Sequence, residues 1–282
     1  MRAELDGDIL FNELMMTRQV DHRLVLLLEG DEDANVVDCH IDESNCRSEI
    51  GNGKMNVLRV VDLVVQHEIE WIFFALDRDF DDPTALRSLH KRMSVSDAYD
   101  LHSEILLKCD VAVKRLTVAH GKKNRRIAYG THDRIKEIIV EVSGTLGILR
   151  YVSSQRKLNL KLSKFPVQDL IEAYESGNLL DELIDLAITI SPNATVGRED
   201  LISLMRMHAV VSLPVDYFCQ GHDMVAFFSV IIRKRLGGTV GMDVLAESMQ
   251  SSVSIDCFSR LSIFKDFEAW GKEAGVGVWL AA

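Results

Sequence analysis

Between residues 20 and 100 the chain alternates short apolar runs with polar, helix-like stretches. Leu24–Leu28 is five apolar residues in a row, the pattern of a strand buried on both faces of a parallel sheet. Asp31–Cys39 reads as the start of a helix with Asp31 as N-cap, and Cys46–Ile50 as a second strand. Gly51-Asn52-Gly53 is a turn. Val57, Leu58, Val61, Leu63, Val64 and Val65 then give a helix with a broad apolar face, although β-branched residues are mediocre helix formers. Trp71–Leu76 is the strongest strand, Pro83 closes the loop after it, and Met93–Ser96 is a short fourth strand. Strand and helix in alternation predict right-handed crossovers and a parallel sheet.

Beyond Asp100 the rhythm becomes helical. The spacing predicts helices over Leu101–Val118, Thr131–Arg150, Val167–Ile190 with a break at Gly177, Glu199–His208, His222–Leu236 and Phe258–Ala274. Leu158, Leu160 and Leu162 alternate with polar residues, so Tyr151–Phe165 reads as a strand or hairpin arm. Ala119–Gly130, rich in Gly, Lys, Asn and Arg, reads as an exposed loop. The expected fold is therefore α/β: a parallel sheet flanked by helices over residues 1–110, then a mostly helical region over 111–282.

Charge changes this picture more than composition does. The 282 residues carry a net charge of −11. Residues 1–107 hold −13 of it, residues 108–164 hold +10, and residues 165–282 hold −8. Overall acidity discourages indiscriminate phosphate binding, while the basic middle can hold a phosphate backbone or form a solvated, salt-bridged face. Lys122, Lys123, Arg125 and Arg126 are the candidates for nucleic-acid contact, with Lys54 at the start of a helix as another. Lys54 also reads simply as a solvated turn lysine. The five cysteines are scattered without a CxxC pair, which fits reduced thiols in a cytoplasmic protein better than zinc or disulfides. The longest apolar run, Met224–Ile232, is too short for a membrane span and reads as core or homodimer interface.

The chemistry-bearing pattern is a pair of acidic clusters, each placed where an apolar strand ends. Glu29, Asp31, Glu32 and Asp33 follow Leu24–Leu28; Asp77, Asp79, Asp81 and Asp82 follow Trp71–Leu76. Ligands of open α/β sheets bind beyond the carboxyl ends of the strands. Carboxylates gathered there repel one another, and a hard divalent cation, Mg²⁺ or Mn²⁺, is the reason to gather them. In extended chain Asp77 and Asp79 point to the same side, with Arg78 turned away. Glu29 can act as a general acid or base, its pKa raised by like charges. The alternative is that these acids cap helices and solvate loops. Gly51-Asn52-Gly53-Lys54 lacks Walker A spacing, so no intrinsic ATPase activity is expected.

Leu28-Glu29-Gly30-Asp31-Glu32-Asp33 followed by Leu76-Asp77-Arg78-Asp79 resembles the Toprim domain of topoisomerases, primases and overcoming-lysogenization-defect nucleases. The resemblance is closer to Toprim-like bacterial proteins that include the effector nuclease of the PARIS anti-phage system. Gly53-Lys54-Met55-Asn56, Asp77–Asp81, Ser96-Asp97-Ala98-Tyr99-Asp100-Leu101 and Gly221-His222-Asp223 carry it. It departs at Asp100-Leu101-His102-Ser103-Glu104, since the family more often has Glu directly after Asp-Leu. The resemblance implies a Toprim-like sheet and a Mg²⁺-dependent endonuclease, with Glu29 catalytic and Asp77, Asp79, Asp33 and Asp100 as metal ligands or orienting acids. Glu104, His222 and Asp223 are rim candidates, while His222 and Asp223 also open an apolar helix, where Asp223 reads as a structural partner of the helix dipole. It further implies RNA, transfer RNA in particular, as substrate, and an ABC-type ATPase partner that holds the toxic effector inactive. A DNA endonuclease and a non-catalytic Toprim-fold binding subunit are the alternatives.

Overall fold

A computed structural model describes residues 6–163, 165–209 and 213–280. Four parallel strands form one sheet: β1 (Leu24–Leu28), β2 (Cys46–Ile50), β3 (Ile72–Leu76) and β4 (Met93–Val95), in the order β2-β1-β3-β4. Leu27 of β1 sits opposite Glu49 of β2 on one side and Phe74 of β3 on the other. The helices among and before the strands are α1 (Gly7–Thr17), α2 (Asp31–Val37), α3 (Lys54–Gln66) and α4 (Pro83–Ser88). The chain thus runs from β1 outward to β2, then crosses back to β3 on the opposite flank of β1. The strand order reverses between β1 and β3, which makes the gap beyond their carboxyl ends the topological switch point of the sheet.

After β4 come α5 (Leu101–Lys108), α6 (Asp110–His120), α7 (Lys123–Tyr129), α8 (His132–Arg156), α9 (Leu170–Glu175), α10 (Leu179–Ile190), α11 (Arg198–Ala209), α12 (Gly221–Lys234), α13 (Met242–Ser252), α14 (Ile255–Phe258) and α15 (Ser262–Ala274). A 3-10 turn, Val215–Phe218, precedes α12. The expected α/β sheet with a helical continuation is the fold observed. No helix among the described residues is long and apolar enough to cross a membrane. All five cysteines are free; only Cys39 is exposed.

The molecule divides into two compact units. One is the chain up to Cys109 together with everything from Gln250 onward; the other is Asp110–Met249. The carboxyl-terminal segment therefore belongs with the sheet, where the sequence pattern groups it with the helical region.

Within the sheet unit, alternation along the strands divides two apolar layers. Val25, Leu27, Ile72, Phe74 and Leu76 pack with Leu10, Phe11 and Leu14 of α1 and Val57, Val60, Val61 and Val64 of α3. Phe73 points the other way and meets Phe267 and Trp270 of α15, ring centroids 5.2 Å apart in each case. The returning tail is stitched on by backbone bonds: Asp42 N–H to the Val278 carbonyl (2.9 Å) and Leu280 N–H to the His40 carbonyl (2.8 Å). β2 is an edge strand with Arg47 and Glu49 paired along it, charge that discourages pairing with another sheet.

The helical unit is built around the 25-residue α8, whose buried stripe includes Ile135, Ile139, Val142, Leu146 and Leu149. Gly144 and Gly147 let the 3-10 turn lie directly against it; a Cβ at Gly147 would come within 1.8 Å of the Phe218 carbonyl oxygen.

Several sequence expectations change. The single helix over Leu101–Val118 is broken at Cys109, whose ψ of 75° leaves the helical region. The described residues of Tyr151–Phe165 hold no strand: α8 runs on to Arg156 and stops at left-handed Lys157, and Leu158, Leu162 and Phe165 are buried from irregular chain. Ala119–Gly130 is not a loop, because α6 extends to His120 and α7 follows. Pro83 opens α4 at a position where its missing N–H costs nothing. The helix after β1 is capped by Gly30, with Asp31 already inside it.

Candidate functional site

Each strand end delivers one acid to the switch point. Glu29 is the residue after β1, and its Oε1 accepts the backbone N–H of Asp77, the residue after β3, at 2.8 Å. Asp77 Oδ1 in turn accepts the N–H of Leu101 at the start of α5 (3.0 Å). Asp33 reaches back from the first turn of α2 to the Gly30 N–H (3.3 Å). Asp100 caps α5, its Oδ1 accepting the Ser103 N–H at 2.7 Å. Helix starts and strand ends supply these N–H groups as a matter of geometry, so two βα junctions and one capped helix suffice to assemble four carboxylates.

The electrostatics show how close these groups come. Burial pushes the Glu29 carboxyl up to about 7; the Asp77 N–H and Lys54 oppose this, and Asp79 and Asp33 add to it. Burial also pushes Asp33 up to about 7, the Gly30 N–H opposing and Asp100 and Glu32 adding repulsion. Asp77 is also raised well above the ordinary carboxylate range, first by burial and then by Asp33, Asp100 and Glu29. Asp33 and Asp77 also line a small cavity of about 20 Å³ with Ser94, Ser96, Glu104 and Ser262, enough for one water-sized occupant.

Asp79 is placed differently. β3 ends at Leu76, and Asp79 adopts a left-handed φ of 54°. The alternation of an extended strand does not continue through it. Its carboxylate pairs with Lys54 Nζ at 2.7 Å, Asp81 pairs with the same amine at 2.8 Å, and the amine also donates to the Asp77 carbonyl at 2.7 Å. Burial works against the Lys54 charge, but the two carboxylates outweigh it and hold its pKa above the ordinary value. Lys54 is therefore neither a solvated lysine nor an open phosphate contact. It fastens the turn before α3 to the loop after β3. The turn itself docks on the end of β1: Gly51 N–H bonds the Leu28 carbonyl (2.7 Å) and Gly53 N–H the Glu29 carbonyl (2.9 Å). A Cβ on Gly51 would meet Val57 Cγ2 at 2.2 Å, and Gly53 sits at φ 112°, so both positions require glycine.

Glu104 is fully buried and spent within the fold. It accepts the Ser262 N–H (2.8 Å), the Ser262 hydroxyl (2.9 Å) and the Asp97 N–H (3.2 Å), and pairs with Lys108 at 2.7 Å. It clamps the start of α15 to α5 and is not a rim group. Arg78 is buried as well, donating to the Asp97 carbonyl at 2.8 Å. In the helical unit, Asp223 makes a two-pronged pair with Arg150, both contacts 2.9 Å, and so serves that unit's own core. His222, next to it, is exposed. Lys122, Lys123 and Arg125 are exposed on or just before α7, and Arg126 is half-buried.

Sequence reasoning missed the layer behind the acids. His102 lies buried between Glu32, 3.3 Å from Nδ1, and the Gln250 side-chain amide, 3.2 Å from Nε2; Gln250 also accepts from Asn35. His102 reads as isolated because its partners are 70 residues before it and 148 after it. Only the Asp-Leu-His run at the α5 start pointed to this place.

The donor set fits a hard divalent cation. Every group is an oxygen ligand, and mutually repelling carboxylates are what such an ion relieves. Glu29, Asp33, Asp77 and Asp100 are the residues that would hold it. Among the described residues no three acidic, histidine or cysteine groups stand in a ready-made metal-holding arrangement. Glu29, Asp33, Asp77 and Asp100 each hold a backbone N–H through one carboxylate oxygen, and an ionised carboxylate has further acceptor positions for an ion. In comparisons with known proteins, no protein-family model and no curated protein matches this chain.

Proposed function

We propose that the sheet unit is the catalytic part of a divalent-cation-dependent endonuclease. The observation that carries this reading is the convergence of Glu29 and Asp77 at the switch point of a parallel sheet, where the Glu29 carboxylate accepts the Asp77 N–H and both carboxyls are pushed above their ordinary pKa range, chiefly by burial. A bound Mg²⁺ or Mn²⁺ would supply charge neutralisation at a phosphodiester and a more acidic water. The chain's own part is proton handling and orientation. Glu29, with a pKa of about 7, is poised to accept or return a proton at neutral pH. The N–H groups of Asp77 and Leu101 fix the carboxylates of Glu29 and Asp77. The Lys54 amine holds the loop that carries Asp79 and Asp81.

RNA, with transfer RNA first, is the substrate this reading favours, on the resemblance to Toprim-like effector nucleases. The same resemblance supports an ABC-type ATPase partner that restrains the nuclease and a role in anti-phage defence in the cytoplasm. The full-length chain is incubated with total transfer RNA and Mn²⁺ or Mg²⁺, alongside Glu29→Gln and Asp77→Asn. Cation-dependent cleavage by the wild type alone is expected; equal product from all three proteins removes the assigned centre.

A second reading is a non-catalytic binding subunit, favoured by the absence of a ready-made group of three metal-holding residues among those described. Calorimetric titration with Mn²⁺ separates the two. Saturable binding that disappears in Asp77→Asn supports the nuclease, and identical heats in both proteins support the binding subunit.

A further inference from the structure

A second place where like charges gather lies within the helical unit. α6, α7 and the first residues of α8 enclose a concave cavity of about 310 Å³. Lys114, Lys123, Arg126 and His132 line it, and no acidic residue does. Several other cations of this unit are paired: Arg150 with Asp223, Arg235 with Glu175, Arg198 with Asp181 and Asp185, Lys136 with Asp110. Lys114, Lys123 and Arg126 have no acidic partner among the described residues, and Arg126 Nε is buried without a hydrogen-bond acceptor. A buried donor left unmatched is costly unless something accepts from it.

Arg126 is held there by packing. Its Cγ and Cδ lie across Gly121, where a Cβ would approach each at 3.1 Å. Thr131, the N-cap of α8, also lines the cavity, so the positive end of a 25-residue helix faces the same space. His132 has one acid nearby, Asp133 at 3.2 Å, in that same first turn. The rest of the wall is apolar: Val118 and Ile127 are 51% and 75% exposed. α7 buries none of its residues, which leaves this wall uncovered.

We propose that this cavity binds the phosphate group of a nucleotide, with Lys114, Lys123 and Arg126 on the phosphate and Val118 and Ile127 against the base. The cations and the helix end select a multiply charged oxyanion. The volume exceeds what inorganic phosphate fills and lies at the lower end of small-ligand sites. An apolar flank suits a flat base better than a bare sugar phosphate. The site is separate from the acid cluster, and its occupancy does not depend on cleavage.

The test is calorimetric titration of the full-length chain, without divalent cations and at fixed ionic strength, with pyrophosphate, a 5′-mononucleotide, and a short oligoribonucleotide with and without a 5′-phosphate. The nucleotide should bind saturably and at least fivefold tighter than pyrophosphate. Arg126→Gln and Lys114→Gln should each weaken it at least tenfold, while Arg206→Gln, an exposed cation on α11 outside the cavity lining, should not. Circular dichroism checks that each variant is folded; the two weakening variants lie on different helices, so one misfolded protein leaves the other decisive. Preference for the phosphorylated oligonucleotide identifies a strand end as the source, and preference for the mononucleotide a free ligand. No saturable binding by the wild type, or wild-type affinity in a folded Arg126→Gln or Lys114→Gln, overturns the site. Equal affinity for pyrophosphate and nucleotide overturns the role of the apolar wall.

Discussion

Asp77 and Asp223 are the same side chain, both withdrawn from solvent, and the two units treat them in opposite ways. In the helical unit, Asp223 receives two N–H groups of Arg150 and its charge is cancelled on the spot. In the sheet unit, Asp77 receives one backbone N–H and faces Asp33, Asp100 and Glu29. A buried carboxylate with a guanidinium is finished; one that faces three more carboxylates is held in an unfavourable state by the fold around it. Stability is what the first arrangement protects. The second gives some away, as functional sites do.

This contrast can be broken most decisively at Glu29. Glu29→Gln keeps the shape and the acceptor for the Asp77 N–H but cannot exchange a proton. Nuclease turnover should fall by about 10²–10⁴-fold, the usual share of general acid–base catalysis. Single-turnover cleavage assays read it, and unchanged rates would dissolve the distinction between the two acids.

Next in size is Asp223→Ala. It leaves Arg150 charged and poorly solvated, and removing one partner of a buried pair costs about 3–5 kcal/mol. Urea unfolding should show that loss, with the divalent-cation affinity of the sheet unit unchanged.

Asp77→Asn should do the reverse: it abolishes cleavage and raises the thermal midpoint of the cation-free protein by a few degrees. A companion effect is the pH dependence. Glu29 and Asp33 have folded-state pKa values of about 7, above their unfolded values. They keep protons in the folded chain that the unfolded chain has already lost. Their stabilising contribution is complete below about pH 4 and is lost as pH rises to about 7. The advantage of Asp33→Asn over wild type should therefore widen between pH 5 and pH 8 in differential scanning calorimetry. Added Mn²⁺ should shrink it, and most at the alkaline end.

Much of the sheet unit is legible in the sequence, for a physical reason. A strand buried on both faces has to be a continuous apolar run, so Leu24–Leu28 and Ile72–Leu76 announce themselves, and so do the acids directly after them. What the pattern could not supply was anything set by distant chain. Asp79 reads as a twin of Asp77 until the left-handed turn and Lys54, 25 residues earlier, are known. Glu104 reads as a rim acid until Ser262 is found against it, 158 residues away. Leu158, Leu160 and Leu162 mimic a strand because burial of alternate residues in irregular chain leaves the same trace. The α6–α7 cavity was hidden because Ala119–Gly130 has a loop's composition and a helix's backbone.

The smallest effect should come from Arg198, whose pairs with Asp181 and Asp185 are at the surface. Arg198→Gln should leave the thermal midpoint within error in physiological salt, since exposed pairs are screened and contribute little. A large loss would mean that pairing in the helical unit matters at the surface as well as around Asp223.

The returning tail has a consequence for how the protein is made. Ser262 and Ile263 wall the small chamber behind the acids, yet they lie more than 180 residues beyond Asp77. A ribosome must complete the entire helical unit before it emits them. Until then the nascent sheet has one greasy face open, and the acids lack part of their backing. The centre is therefore assembled last, at the close of synthesis.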